Sequence, residues 1–363
     1  RCSSAASDVY KRQPMSCAGM TALCWHVHNQ LAGLQCEFLA FVDNWAFVSH
    51  DPACLLEATQ RLLACCDALS LPVDWGKSWA WASSPEAERH WRDVLRIVAP
   101  HDGTQRIKRH QVELGVPFTY QGQAPARQRD RRLCEGHQRL QRLRALHRPV
   151  ALKALLVQST VWTSALYGLE ASLLPVSTVH KLRAAAAKAV MGVSQVRSPW
   201  LTLSCFNARC QDPEVFLLSQ CLRAHVRLHH HHRDLALRCW RRAAEFQIPL
   251  VSRGISGPAA VLKALRSRNG LTLQPCGLIQ GPGLHTLALS TCGPQDVATF
   301  LASFWQHRLK EENSHRNGLS HLYAVDSVAT SRVLSKLPAW QQAMVAPNVV
   351  GSFMSQGSKF KAG

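Results

Sequence analysis

Long apolar runs are missing from this 363-residue sequence: none reaches the roughly 18–20 residues that a helix needs to cross a bilayer. No charged-then-apolar segment of secretory type opens it either. These absences set aside a membrane partner and a secreted destination. Acids are scarce, with 23 Asp plus Glu against 42 Lys plus Arg, a formal charge of +19 with His neutral. An imbalance of that size points to a polyanionic partner, most simply nucleic acid. The 14 cysteines follow no regular spacing. Most sit in apolar context, as reduced, buried thiols do in an intracellular protein, nuclear or cytoplasmic. Cys205, Cys210, Cys221 and His225 match no standard zinc-knuckle spacing. No repeat of about 20–50 residues is evident, which argues against a solenoid. What remains is a chain 47% hydrophobic and only 18% charged, hence globular, and long enough for two or three domains with real cores.

The most informative stretch is Cys36–Ser49, CEFLAFVDNWAFVS. Two apolar, aromatic-rich runs, Phe38–Val42 and Trp45–Val48, flank the polar corner Asp43-Asn44. Strand formers on both sides of a dipeptide that tolerates left-handed backbone angles predict a β-hairpin with a carboxylate at its tip. Asp51-Pro52 follows, a capping carboxylate before a proline, and opens an amphipathic helix over Pro52–Leu69. Short strand-like pieces are expected at Val73–Trp75 and Trp79–Trp81, around Gly76-Lys77. A helix then opens at Ser84-Pro85-Glu86, and Val112, Leu114 and Val116 alternate as an edge strand does.

In this order the features resemble the second half of the palm of a reverse transcriptase, of the non-LTR retrotransposon type. Phe41-Val42-Asp43-Asn44 stands in the place of that family's aromatic-x-Asp-Asp box, Leu71–Ser78 in that of the next motif, which ends in a lysine, and Val112-Glu113-Leu114-Gly115-Val116 in that of its primer-grip hairpin. The resemblance implies an α+β fold: a partial palm over residues 14–125, a helical thumb over 126–198, and a mostly helical region of unknown role over 199–350. It implies an RNA-directed DNA polymerase acting on an RNA template and a DNA primer, with nucleotidyl transfer assisted by two Mg2+ ions. By that carry-over Asp43 is the metal ligand, Lys77 lies near the pyrophosphate as a general acid, and Leu114 and Gly115 hold the primer end. Asn44 departs from the pattern: it offers Mg2+ a neutral oxygen where the family has a carboxylate.

Upstream, residues 1–13, RCSSAASDVYKRQ, resemble a translated sequencing-adapter remnant and are set aside. Pro14-Met15-Ser16 resembles the tail of the family's Gln-Gly-x-Pro-x-Ser-Pro motif. The expectation is therefore a fragment that lacks the first catalytic aspartate and does not polymerise. The alternatives are a non-catalytic basic nucleic-acid-binding protein and a decayed retroelement reading frame.

The most basic segment is Arg127–Arg148, where eight arginines face only Asp130 and Glu135. In the family this is where the thumb begins, so Arg127, Arg131, Arg132, Arg139 and Arg142 are expected to meet the phosphates of template and primer without reading sequence. Leu133, Leu140, Leu143 and Leu146 form the expected apolar stripe. Further helices are expected from Pro149 to Glu170, over Ser177–Met191 with a stop at Gly192, from Asp212 to about Phe246, and over Gln295–Lys310. Residues 351–363 read as a disordered tail.

Overall fold

A computed structural model of the chain describes residues 21–41, 44–82, 84–98, 107–108, 110–113, 116–119, 126–171, 174–192, 198–205, 212–245, 258–274, 276–282, 285–314, 326–338, 340–342 and 345–346. The chain divides into two compact units, Arg1–Arg109 and His110–Gly363. The architecture is α+β: helices predominate, and the described strands form small antiparallel sheets. Among the described residues no helix is long and apolar enough to cross a membrane.

In the first unit residues 21–30 are helical (α1). Strands β1 (Glu37–Phe41) and β2 (Asn44–Val48) follow, then helices α2 (Pro52–Ala68) and α3 (Pro85–Val98). β1 and β2 pair antiparallel, with Phe38 opposite Phe47 and Phe41 opposite Asn44. Phe38 stacks on Phe47 at 5.4 Å and meets Trp45 edge-on at 6.2 Å. This aromatic face fixes the register, because a one-residue slip would turn every side chain to the other side. Asn44, expected at the polar corner, is drawn into β2 opposite Phe41. Val27, Leu31 and Ala58 form the core beneath, with Phe38, Trp45, Phe47 and Leu62 packed against it.

The helix starts follow local chemistry. Asp51 caps α2 by accepting the Ala53 N–H at 2.9 Å, and Ser84 Oγ accepts the Ala87 N–H at 3.1 Å. Between α2 and α3 the expected strand-like pieces are absent. A turn at 75–77 and one parallel bridge, Ala80 to Ile107, stand there instead. The turn wins because Asp74 holds it, accepting the Lys77 N–H while its carbonyl accepts the Ser78 hydroxyl at 2.9 Å.

The second unit opens with the hairpin β3 (His110–Glu113) and β4 (Val116–Thr119), in which Glu113 faces Val116. Val112 and Val116 thus stand on two paired strands rather than on one alternating strand. Helix α4 (Ala126–Ala145) follows. Helix α5 (Val150–Leu156) runs through a π-helical stretch, Val157–Trp162, into α6 (Thr163–Ala165), and a 3-10 turn follows at Leu169–Ala171. Then come α7 (Val176–Met191), α8 (Pro199–Cys205), α9 (Pro213–His231), α10 (Arg233–Glu245) and α11 (Pro258–Asn269). Strands β5 (Thr272–Leu273), β6 (Leu278–Gln280) and β7 (Thr286–Ala288) form a small antiparallel sheet before α12 (Pro294–Asn313) and α13 (Ser327–Ser335).

One continuous core runs through this unit, from Leu140 of α4 to Leu334 of α13. α4 meets the α5–α6 segment at Gly136, where a Cβ atom would lie 2.5 Å from Ala165 Cβ. Leu140 and Leu143 continue the buried stripe, whereas Leu146 lies past the end of the helix and is exposed. Ala186, Ala187 and Ala189 let α7 approach its neighbours closely, and Gly192, at φ +72°, ends it. The long helix expected from Asp212 to about Phe246 is broken at His232. The chain turns back there so that Trp240 packs edge-on against His225 and donates its indole N–H to the Gln274 carbonyl.

A buried ionic joint ties the helices together. Arg183 of α7 donates from Nε and Nη2 to both carboxylate oxygens of Asp212, and from Nη2 to Glu214 at 3.2 Å. Burial opposes its charge, but the two carboxylates outweigh that and raise its pKa. Its guanidinium lies 3.7 Å from the centre of the Trp200 ring, which stacks on Trp305 at 4.9 Å.

Two stability measurements test this packing. Gly136→Ala gains about 1 kcal/mol of helix propensity but must push backbone away from Ala165, so its thermal midpoint should fall rather than rise. Arg183→Met leaves two carboxylates buried without their cation and should lose about 3–5 kcal/mol in urea unfolding.

Candidate nucleic-acid interface

The residues singled out by the sequence fall in three places. Asp43, the expected metal ligand, and Leu114 and Gly115, the expected primer grip, lie outside the described residues. Asn44 opens β2, opposite Phe41. Lys77 stands on the turn after α2 with its side chain 87% exposed, and its ammonium pairs with Asp74 Oδ2 at 3.0 Å. That partner holds the Asp74 carboxyl below its ordinary pKa. Among the described residues no three His, Cys, Asp or Glu side chains converge in a way that could hold a metal ion.

The arginines of α4 divide into two sets. Arg132 and Arg139 turn toward the following helix. Arg132 donates to the Tyr167 carbonyl at 2.7 Å, with its guanidinium 5.0 Å from that residue's ring centre. Arg139 donates to the Thr160 carbonyl at 3.3 Å and to Ser164 Oγ at 2.6 Å. In this segment the hydroxyls of Ser159, Thr160, Thr163 and Ser164 each donate to the carbonyl four residues earlier, in and just after the π-helical stretch. Arg127, Arg131 and Arg142 are exposed further round the helix, at spacings that keep them in line along it. Of these, Arg131 pairs with Glu135 at 2.9 Å, an exposed ion pair that contributes little and gives way readily to a phosphate.

Sequence reasoning passed over Lys153. It is buried, and its ammonium donates to the Arg144 carbonyl at the end of α4, 3.3 Å away, beside Gly192 at the end of α7. A cation there faces the negative ends of two helices. Burial lowers its pKa. The signal was faint, a lysine at the inner phase of the Val150–Ala154 turn.

Cys221 and His225, neighbours on α9, are both buried. Burial pushes the thiol of Cys205 up to about 12 and raises that of Cys221 further, so both stand as inert thiols. The His225 Nδ1–H donates to the Cys221 carbonyl at 2.9 Å, and its Nε2 has no partner among the described residues. Burial lowers its pKa and the Cys221 contact opposes this, leaving it below the ordinary histidine value.

Comparisons with protein-family models, with curated proteins and with solved structures find no match for this chain.

His225 sets a pH dependence. Its imidazole is held neutral when folded and protonates freely when unfolded, so the unfolded chain binds the extra proton. Stability should be full above pH about 6.5 and fall as the pH drops below it. Thermal midpoints of the wild type and His225→Leu between pH 5 and 8 check this, the variant showing the shallower decline.

Proposed function

We propose that this chain is part of a retroelement RNA-directed DNA polymerase of the non-LTR reverse-transcriptase type, and that it holds nucleic acid without polymerising. The observation that carries the reading is the pairing register. Two antiparallel strand pairs close with Phe41 opposite Asn44 and Glu113 opposite Val116, the residues that flank the stretches standing for the family's catalytic box and primer grip. A helix with an outward row of arginines follows them, where the family has its thumb. An RNA template paired with a DNA primer is the expected partner, engaged through Arg127, Arg131 and Arg142 at its phosphates. Arg132 and Arg139 position that helix rather than touch the partner. Magnesium, when bound, supplies two-metal stabilisation of the entering and leaving oxygens. Asp43 would hold it, and Asn44 adds only a neutral oxygen beside it.

Lys77 pairs with Asp74 of its own turn, an exposed ion pair that gives way to a phosphate as readily as Arg131–Glu135 does.

The test is template–primer binding and incorporation, measured on the same preparation. An RNA–DNA hybrid should bind, with affinity falling steeply as salt rises. Arg131→Gln/Arg142→Gln should weaken it about tenfold or more, and Asp43→Ala should change nothing. Template-dependent incorporation abolished by Asp43→Ala would overturn the non-polymerising part of the proposal. Binding insensitive to both salt and the arginine pair would overturn the interface.

A further inference from the structure

The region after the thumb-like helices carries a second cationic surface, and the fold explains its form. α9 is buried along most of its length, by Leu218, Cys221, Leu222, His225 and Val226. What it leaves exposed is a narrow strip containing Arg223, Arg227, His230 and His231. These stand at i, i+4, i+7 and i+8, in line along one face. The helix stops at His232, and α10 begins at once with Arg233, so both exposed strips run into a single corner. On α10 the outward positions include Arg238 and Arg241.

Between Cys221 and Arg241 the sequence has five arginines and one acid, Asp234. His230 is anchored: its Nε2–H donates to the Cys292 carbonyl at 3.2 Å, fixing the corner against the loop that leads into α12. The first acid of α12, Asp296, is used locally, accepting the Gly293 N–H at 2.7 Å.

We propose that this α9–α10 corner is a second nucleic-acid surface, taking a phosphodiester backbone along the strip from Arg223 to Arg233. The strip from Arg223 to His231 is about 12 Å long at 1.5 Å per residue. A duplex presents about seven phosphate charges over that length. The surface is ill suited to a bilayer, since its strip is cationic and polar with Leu235 as the exposed large apolar side chain at the corner. It reads no bases and serves to extend the track of a bound backbone beyond α4.

The experiment uses the whole chain and a fluorescent 24-base-pair DNA duplex, with vesicles of 30% phosphatidylserine as the other arm. Arg223→Gln/Arg227→Gln/Arg233→Gln removes three exposed cations and should leave the thermal midpoint in place. The expected result is a Kd at least tenfold higher near 0.1 M salt, with a plot of log affinity against log salt shallower by roughly 2–3 units. The Arg131→Gln/Arg142→Gln protein serves as the separate control on α4. If it weakens binding while the α9–α10 triple variant matches wild type in both Kd and salt slope, this proposal fails and the α4 interface stands. If the triple variant alone weakens binding, this proposal stands and the α4 interface fails. Vesicle binding lost in the triple variant, with duplex binding unchanged, overturns the choice of partner.

Discussion

Much of the helical unit depends on one cation held out of water. Arg183 lies in the interior with Asp212 and Glu214 around it and the face of Trp200 beneath. Asp212 and Glu214 belong to the start of α9, and Trp200 belongs to α8. Asp212 also caps α9, accepting the N–H groups of Glu214 and Val215, so one carboxylate both starts a helix and anchors it to α7. Glu214 takes the Asn269 amide at 3.4 Å and brings in the end of α11. Trp200 passes the contact on to α12 through Trp305, whose indole N–H donates to Ser204. Burying such a group adds little net stability compared with an apolar core of the same volume. What it supplies is direction: these helices meet in the one arrangement that leaves no charge alone.

α4 divides along its length in a related way. Its inner side has no side chain at Gly136, and apolar ones at Leu140 and Leu143, so it sits close on its neighbours. Its flank spends Arg132 and Arg139 on carbonyl oxygens and a hydroxyl of the next helix. Its outer side keeps Arg127, Arg131 and Arg142 turned to solvent. A basic helix is thus part fastener and part surface, and counting its charges overstates the surface.

What could be read in the sequence was what local chemistry decides. Asp51-Pro52, Asp212-Pro213 and Gly192 mark helix ends because a capping carboxylate or a left-handed glycine acts within one turn. The hairpins were legible from their strand formers, though Asn44, expected at the polar corner of the first, lies in β2. Its register is set by Phe38 facing Phe47 across the ladder and not by the polar dipeptide itself. Nothing local distinguishes Arg139 from Arg142. Their roles diverge because Ser164 is brought under one of them by a helix 25 residues further on. The Arg183–Asp212 pair spans 29 residues and was unreadable for the same reason. The break at His232 was missed because the pull comes from Trp240, which folds back onto His225. For the candidate site, the order of motifs was legible, but the occupation of Lys77 by Asp74 appears only once the turn is formed.

The cysteines divide the molecule in yet another respect. Cys66, Cys205, Cys221 and Cys292 are enclosed, whereas Cys134 and Cys276 face solvent. Cys134 lies on the outer side of α4, between Arg131 and Arg142. A thiol among guanidinium groups meets anionic oxidants and disulfides at a raised local concentration. In an oxidising medium a bulky adduct at Cys134 would shield the face that presents these cations, whereas the enclosed thiols are out of its reach.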